Sequence, residues 1–419
     1  MMKPTDVLVA GSGMAGLVAA LAAALRGKSV RVAARGSGGL AISGGGVDLL
    51  GYIDGAMIKG DPFTAVDALP EDHPYRLVGA AGIREALDFF SGVCLRQGLE
   101  LSNDGGENHW IPTILGTFRP TFLCPPRSDR ETLAGADIIL VPSLPWLKDC
   151  HAGMARTVMQ EQRRLKNKIF ATPVLTPPLG PTHRNLTPLD MARFVDTPAG
   201  EAWLGRELSL HVTAAAEKKA AIVLPPILGV GRSTAIRKAL EKRLGCPILE
   251  MASSPPGVGG LRIREALRAA LSKAGVMIAE NADIVGARTE GSRCRCLISD
   301  APDKRREIEA DSFIIATGGF FGGGSIASPG SAREAVFDID LGAPEAIESW
   351  SVPEVFDAQP YARLGVKVNR RLNPLAPGGG VLWDNVFFVG RALAGYDFVL
   401  EKCGHGVAIA TGYHAGRIC

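Results

Sequence analysis

The first thirty-five residues alternate between apolar runs and turn-forming residues. Apolar runs occupy Asp6–Ala10 and Ser29–Ala34, and between them lie a glycine loop, Gly11–Gly16, an alanine-rich run, Leu17–Leu25, and a turn at Gly27. This succession predicts strand, loop, helix and strand, which together form a βαβ unit. In that context the G-x-G-x-x-G spacing of the loop predicts a dinucleotide-type phosphate site.

Each glycine of the loop has a separate predicted task. Gly11 permits a sharp turn, Gly13 lets the backbone approach a phosphate, and Gly16 lets the helix lie close to the strand. Free N–H groups at the helix start attract the anion. The alternative is a tight turn without a ligand. The candidate binding residues of the loop are Gly11, Ser12, Gly13, Met14, Ala15 and Gly16.

The end of the second strand lacks the residue that usually holds an adenosine ribose. Dinucleotide folds place an Asp or Glu there, whereas this chain has Arg35 followed by Gly36 and no carboxylate between Asp6 and Asp48. Arg35 suits the 2′-phosphate of NADP, the phosphate of a truncated flavin, or a solvated surface position. Arg35 and Gly36 are candidate cofactor-binding residues.

A second glycine-rich stretch follows at residues 43–46. Consecutive glycines cost chain entropy and are typical of backbone that passes close to something flat or anionic. Ser43, Gly44 and Gly45 are therefore candidates for contact with a flavin ring edge, and a flexible surface loop is the alternative.

The middle of the chain changes in character. Between residues 61 and 250 prolines are frequent, and two short apolar runs, Ala136–Val141 and Ala220–Leu224, predict buried strands. We expect a smaller α/β domain at 61–250, inserted into a main domain made of 1–60 and 251–419. Its polar segments most suited to reach a site are His73–Tyr75 and Leu115–Arg119.

The main fold resumes after residue 256. An amphipathic helix is predicted at Leu261–Lys273, a strand at Val276–Ala279 and a hairpin around Gly291. The buried strand Asp311–Ala316 then ends in a second glycine cluster, where backbone can again approach a nucleotide. The candidates there are Thr317, Gly318 and Gly319.

The C-terminal stretch predicts one more buried strand, Asn385–Gly390, and a helix of small residues from Gly404 to Ala415. The positive end of such a helix can face a flavin ring, where reduction deposits negative charge. His405 can donate a hydrogen bond there, or it can simply cap or pack the helix. The candidates in this stretch are Gly390, Asp397, Gly404, His405 and Gly406.

Composition limits the classes of function. With 419 residues, 46% hydrophobic, the chain can bury a large core, and a net charge of +3 does not indicate a nucleic-acid partner. Eight cysteines occur without a C-x-x-C pair, so no metal site is predicted. The uncharged stretch 7–25 mimics a signal peptide, but its glycines fit strand, loop and helix better.

Taken together, these segments resemble the fumarate reductase-like flavoproteins and, more closely, the B subunits of anaerobic glycerol-3-phosphate dehydrogenases. The resemblance covers nearly the whole chain. It rests on the segments 11–16 (GSGMAG), 35–50, 73–75 (HPY), 115–123, 192–196, 316–324 (ATGGFFGGG) and 387–416.

The resemblance implies an α/β, Rossmann-like FAD/NAD(P)-binding three-layer domain with an inserted smaller α/β domain. It also implies one component of a three-subunit enzyme, in which an A subunit carries FAD and oxidises glycerol 3-phosphate to dihydroxyacetone phosphate. An iron–sulfur C subunit then anchors the complex to the cytoplasmic side of the membrane and delivers electrons to quinone. For the B subunit it implies FMN, which agrees with the missing acid at Arg35, and it supplies no catalytic base.

Three functions remain open on the sequence alone: an electron-relay flavoprotein subunit, a self-sufficient flavin dehydrogenase or reductase with its base in 61–250, and a flavin-free scaffold subunit. In the first, contact with the membrane comes only through partners.

Overall fold

Residues 5–178, 186–213, 218–253, 255–301 and 304–419 are described by a computed structural model of the chain. They form two units. Unit 1 takes its residues from 1–39, 48–93 and 267–419, and unit 2 from 40–47 and 94–266. The predicted insert, 61–250, overlaps unit 2 but begins and ends earlier, because 61–93 fold with unit 1 and 251–266 with unit 2.

Strands are distributed over both units. In chain order they are β1 Val7–Ala10, β2 Val30–Ala34, β3 Tyr52–Ile53, β4 Ala56–Met57, β5 His109–Pro112, β6 Phe118–Thr121, β7 Ile138–Leu140, β8 Ile169–Ala171, β9 Ala220–Leu224, β10 Ile248–Glu250, β11 Met277–Glu280, β12 Asp283–Glu290, β13 Arg293–Ala301, β14 Lys304–Glu309, β15 Ser312–Ile315, β16 Ser325–Ser328, β17 Ser331–Glu334 and β18 Val386–Phe388.

The α-helices are mostly short. They are α1 Met14–Ala24, α2 Pro74–Val78, α3 Ala80–Arg96, α4 Arg130–Ala134, α5 Ala152–Gln160, α6 Pro188–Val195, α7 Pro198–Thr213, α8 Ser233–Leu244, α9 Val258–Lys273, α10 Phe398–Glu401 and α11 Gly404–Ile418. Within the described ranges, no helix combines the length and the apolar character needed to cross a bilayer.

Unit 1 is built on a five-stranded parallel sheet in the order β11-β2-β1-β15-β18. Its central strand, β1, is buried throughout, with Val7 aligned with Val30 of β2 and with Ser312 of β15. Apolar runs of this kind are typical of parallel strands that are covered on both faces. All five strands point the same way, so their carboxyl ends meet at one edge. The predicted α/β, Rossmann-like fold class is confirmed.

Two helices of unit 1 cross with almost no side chain between them. A Cβ at Gly412 of α11 would lie closer than 3.0 Å to the Ala15 carbonyl oxygen of α1, and one at Gly416 would lie equally close to that of Ala19. Small residues allow such close contact between helix backbones. The alanine-rich composition of α1 therefore serves this contact as well as helix formation.

Unit 2 contains a four-stranded parallel sheet in the order β10-β9-β7-β8. Along β9, Ala220, Ile222 and Leu224 belong to one buried cluster, whereas Ala221 and Val223 belong to another. Successive strand residues point to opposite faces, so both faces of this sheet are covered. The proline-bounded apolar runs of the sequence are thereby confirmed as buried strands.

Helix starts differ from the sequence prediction in a consistent way. The first helix begins at Met14 instead of Leu17, and α9 begins at Val258 instead of Leu261. In both cases small residues and glycines that indicated a loop form the first helical turn. The predicted hairpin around Gly291 is confirmed, and Gly291 has a φ of +57° between β12 and β13.

The helix contact in unit 1 yields a stability prediction. We expect Gly412→Ala to lower the free energy of unfolding by about 1–3 kcal/mol, because the added methyl group meets a backbone oxygen that cannot move independently. Gly153→Ala in α5 is the matched control, since a Cβ there meets nothing within 4 Å. Urea denaturation measures both, and equal midpoints for the two variants would contradict the contact.

A buried acid on β17 yields a prediction about pH. Glu334 is 2% exposed, its Oε2 accepts hydrogen bonds from the Val336 and Phe337 amides at 3.0 and 2.6 Å, and its Oε1 has no partner. Burial raises the pKa of this carboxyl from 4.5 to about 7, in spite of the two amide hydrogen bonds. Between these values the folded state keeps a proton that the unfolded state releases, so stability falls as pH rises and levels off above about 7.

We expect Glu334→Gln to remove this part of the pH dependence, which amounts to about 3 kcal/mol. The measurement is urea denaturation of wild type and variant at several pH values between about 5 and about 8. The exposed Glu345→Gln controls for the loss of one negative charge. Parallel pH curves for wild type and Glu334→Gln would refute the role of this carboxyl.

Candidate functional site

The glycine loop of unit 1 connects β1 to the start of α1. Gly13 is the N-cap of α1, with a φ of −75° and a ψ of −176°, and no side chain caps the helix. The first turn also has no acidic residue. Its N–H groups and the positive end of the helix dipole therefore form a surface suited to an anion.

The three fingerprint glycines differ in what surrounds them. A Cβ at Gly11, which has a φ of +112°, would overlap the Ala316 carbonyl oxygen, and one at Gly16 would overlap that of Gly11. These two positions are fixed by neighbouring backbone. A Cβ at Gly13 meets nothing within 4 Å, so the space on the Cβ side of Gly13 is open.

The remaining loop residues take part mainly through backbone. Ser12 is buried, and its hydroxyl donates to the Gly36 carbonyl oxygen at 2.6 Å. Met14 and Ala15 are also buried, so their side chains pack inward. The Ser12 side chain therefore has a structural role, because its hydrogen bond joins the glycine loop to the segment after β2.

Arg35 extends over the carboxyl edge of the sheet. Its side chain is 78% exposed, and its Nε lies 4.0 Å from Oδ2 of Asp283, the first residue of β12. Its Nη1 lies 3.8 Å from the point where a Cβ of Gly323 would be. Gly36, beside it, has open space on its Cβ side.

The end of β15 supplies a second approach to this edge. Thr317 Oγ1 is buried and has no hydrogen-bond partner. Gly318 has a φ of +85°, and a Cβ at Gly319 would lie 3.1 Å from the Arg391 carbonyl oxygen. A Cβ at Gly324 would lie 2.6 Å from the Thr317 hydroxyl oxygen, so this hydroxyl faces the segment after β15, and a ligand group that reached it would satisfy its hydrogen-bonding capacity.

The predicted residues near α11 are held by packing. Gly390 has a φ of +64° and donates its N–H to Thr411 Oγ1 at 3.0 Å. Asp397 caps α10 by accepting from Val399 and Leu400 at 2.9 and 3.2 Å. These bonds account for both positions without a ligand, and their contact with a cofactor stays a prediction.

The last three predicted cofactor-binding residues, Gly404, His405 and Gly406, lie at the start of α11. A Cβ at Gly404 would lie 3.2 Å from the Phe398 ring, and one at Gly406 would overlap the Tyr75 hydroxyl. The Gly406 N–H donates to the Asp48 carbonyl oxygen at 2.9 Å, so one amide of the first turn is already satisfied. His405 is half-buried.

The residues Ser43, Gly44 and Gly45 belong to unit 2. Gly45 has a φ of +93°, and a Cβ on it would lie 2.5 Å from Gly259 Cα. Close packing of two glycine-rich backbones within unit 2 therefore explains the consecutive glycines. Their predicted contact with a flavin ring stays a prediction.

Sequence reasoning missed a buried polar network in unit 1. His73 Nε2 donates to Glu401 Oε2 at 3.0 Å, and the Cys403 thiol donates to the same oxygen at 3.4 Å. Glu401 Oε1 accepts from the Asp397 amide at 3.1 Å and from Arg363 at 3.4 Å. Burial would raise the pKa of Glu401, but the hydrogen bond from His73 and the other donors outweigh it and lower the pKa below its ordinary value.

This network is a set of structural hydrogen bonds and not a metal centre. Although His73, Glu401 and Cys403 offer ligand atoms within 4.8 Å of one another, His73 Nδ1 accepts from the Tyr75 amide at 3.0 Å, which places the ring proton on Nε2. A metal on Nε2 would require that proton to move to Nδ1, where it would face another N–H donor. The HPY segment thus holds α2 to the start of α11 and does not reach outward.

The cysteines share one property. Cys150 and Cys419 are half-buried and the other six are buried, and all are free. Burial raises their pKa values, to about 12 for Cys94, Cys124 and Cys294 and to about 11 for Cys150 and Cys246. The pKa values of Cys296, Cys403 and Cys419 are raised by burial as well.

Comparison with known proteins identifies the family of the chain. The family model described as the FAD binding domain matches residues 6–407. The chain is 31% identical to the probable B subunit of the anaerobic glycerol-3-phosphate dehydrogenase of Halobacterium salinarum, over 98% of this chain and 97% of that relative. The identity to the corresponding B subunit of Vibrio cholerae is 30%, over 99% and 96% of the two chains.

Among solved structures, the open conformation of a flavocytochrome c3 fumarate reductase matches with a TM-score of 0.43 and 10% identity, covering 99% of this chain and 78% of that one. A likeness this distant adds nothing to the assignment, which rests on the sequence relatives and the family model.

The family corrects the predicted cofactor. FMN is wrong, because the matching family points to FAD. The expectation of FMN came from the resemblance and from the missing acid at the end of the strand that finishes at Ala34, whereas β11 runs beside β2 and brings other side chains to the same edge. The lack of a carboxylate in 7–47 therefore does not exclude an adenosine ribose.

The residues present fit FAD. The uncapped start of α1 with open space at Gly13 suits a pyrophosphate, and the unpartnered Thr317 hydroxyl can bind a further polar group of the cofactor. These observations agree with the family match over nearly the whole chain. The chain belongs to the FAD-binding-domain family of flavoproteins and, within it, to the family of anaerobic glycerol-3-phosphate dehydrogenase B subunits.

Proposed function

We propose that this chain is the FAD-carrying B subunit of a multi-subunit anaerobic glycerol-3-phosphate dehydrogenase. In this role it passes electrons from the oxidation of glycerol 3-phosphate to dihydroxyacetone phosphate toward an iron–sulfur subunit and the quinone pool. The observation that carries the proposal is the near full-length similarity to relatives named as that subunit. The open helix start at Gly13 supports a bound FAD.

The chain's own residues would hold the cofactor mainly through backbone. The first-turn amides of α1 would bind the pyrophosphate, Gly13 would leave room for it, and Thr317 would offer a hydroxyl. The flavin supplies the capacity to accept and donate electrons.

A relay role agrees with the hydrogen bonds that the polar residues near α11 already make. Oxidation of a secondary alcohol needs a base within hydrogen-bond reach of the substrate hydroxyl. In the described part of unit 1, His73 and Glu401 bond each other in the interior, and Asp397 caps a helix. These side chains already make structural hydrogen bonds and are poorly placed to act as the base. The proposal therefore assigns substrate oxidation to the A subunit.

The proposal includes a position at the cytoplasmic side of the membrane, as a peripheral component. It rests on the expected anchoring of the complex by the iron–sulfur subunit, and the contacts of this chain with the A and C subunits are part of the same proposal. Pull-down of tagged chain from cells grown anaerobically on glycerol, followed by mass spectrometry, would identify those partners.

Flavin retention provides the first test. We expect Gly13→Val to carry roughly one tenth or less of the FAD that wild type carries, because a branched side chain would fill the space where phosphate meets the hydrogen-bond donors of the helix start. Gly36→Val is the matched control, since a Cβ at either position meets nothing within 4 Å. Absorbance and chromatography of the released flavin measure the content. Equal FAD content in two folded variants would remove the phosphate site from Gly13.

The isolated protein provides the second test. We expect the purified, FAD-loaded chain not to oxidise glycerol 3-phosphate by itself, because His73, Glu401 and Asp397 already make structural hydrogen bonds. Anaerobic stopped-flow mixing with glycerol 3-phosphate follows flavin absorbance, and a chemical reductant serves as the positive control. Rapid bleaching of the flavin without an A subunit would reject the relay and favour a self-sufficient dehydrogenase.

A further inference from the structure

The segment that follows the edge strand β11 brings a carboxylate to the position where the adenosine ribose acceptor is missing. Strand β11 pairs with β2 in parallel, with Glu280 aligned with Ala34. Just beyond, the Ala282 amide donates to the Ala34 carbonyl oxygen at 3.0 Å. The chain after β11 therefore stays beside the end of β2, and the next residue is Asp283.

Asp283 and Arg35 face each other across this end. Asp283 Oδ2 lies 4.0 Å from Arg35 Nε, and the two side chains are 47% and 78% exposed. An ion pair this exposed and this long contributes little to stability. The carboxylate oxygens of Asp283 remain accessible to hydroxyl donors from solvent or from a ligand.

Arg35 also reaches in the other direction. Its Nη1 lies 3.8 Å from the Cβ position of Gly323, in the segment after β15. Since β1 lies between β2 and β15 in the sheet, Arg35 extends from the end of β2 toward the segment after β15, on the side where β1 ends and the glycine loop begins. Asp283, Arg35 and the open space at Gly13 thus share one edge of unit 1.

We propose that Asp283 accepts hydrogen bonds from the ribose hydroxyls of the adenosine half of FAD. It would replace the acid that dinucleotide folds usually carry at the end of the second strand, with Arg35 as the positioning residue beside it. The ligand class is an adenosine ribose with its vicinal diol. The inference rests on the FAD site of the proposed function and adds the residue that selects FAD over FMN.

The test compares binding of two flavins to apoprotein. FMN shares the ring, ribityl chain and one phosphate with FAD but lacks the adenosine. We expect Asp283→Ala to weaken FAD binding by roughly 10- to 100-fold, the effect of losing hydrogen bonds to a charged acceptor, and to change FMN binding by less than about two-fold. Quenching of flavin fluorescence on titration gives both dissociation constants.

Glu280→Ala is the matched control. Glu280 is the last residue of β11, three positions before Asp283, and its carboxylate is 42% exposed and pairs with Arg268. The Glu280→Ala variant also loses one negative charge near the phosphates, so it controls for that loss. We expect this variant to keep the wild-type ratio of the FMN and FAD dissociation constants. Asp283→Asn, which keeps one acceptor oxygen, should give an intermediate ratio.

The outcomes separate this inference from the function on which it rests. Wild-type affinity for FAD in Asp283→Ala, or an equal loss of FAD and FMN, overturns the ribose assignment and leaves the FAD-carrying role intact. A wild-type chain that binds neither flavin overturns the proposed function and this inference together. A selective loss of FAD, absent in Glu280→Ala, supports Asp283 as the ribose acceptor.

Discussion

Close approach of backbone to backbone is the constraint on which unit 1 depends. Where α1 meets β1, β15 and α11, the residues at the contact are Gly11, Gly16, Gly412 and Gly416, and a Cβ at each would overlap a carbonyl oxygen. Interiors are packed too densely to absorb such overlaps locally. The start of α1 is therefore held at the carboxyl edge of the sheet, and the anion-binding surface is a product of that placement.

Glycine serves two physically different purposes in this chain, and the sequence alone does not distinguish them. At Gly406 the absent side chain makes room for the Tyr75 hydroxyl, and at Gly45 it makes room for another backbone. At Gly13 the vacated space is open. Of the three, only Gly13 combines open space with an uncapped helix start, although all three positions stand in equally conspicuous glycine-rich segments.

The fold could be predicted to a large extent because its signals are local. Buried parallel strands require continuous apolar runs, and β9 matches its predicted range, Ala220–Leu224. The polar pairings could not be predicted in this way. His73 and Glu401 are 328 residues apart, and Asp283 meets Arg35 only because β11 lies beside β2. The residue argument for FMN failed for a similar reason, since it considered the end of β2 alone and not the strand β11 that lies beside it.

The raised pKa values of the cysteines affect how the chain behaves toward oxidants. A thiol reacts with oxidants and electrophiles as its thiolate. Burial disfavours the thiolate at every cysteine of the chain. The Cys403 thiol, in addition, donates a hydrogen bond to Glu401. Brief contact with air should therefore leave the folded protein's sulfur chemistry unchanged. Conversely, a thiol-reactive dye would reach the six buried cysteines only as the segments around them open, so their labelling would record local unfolding.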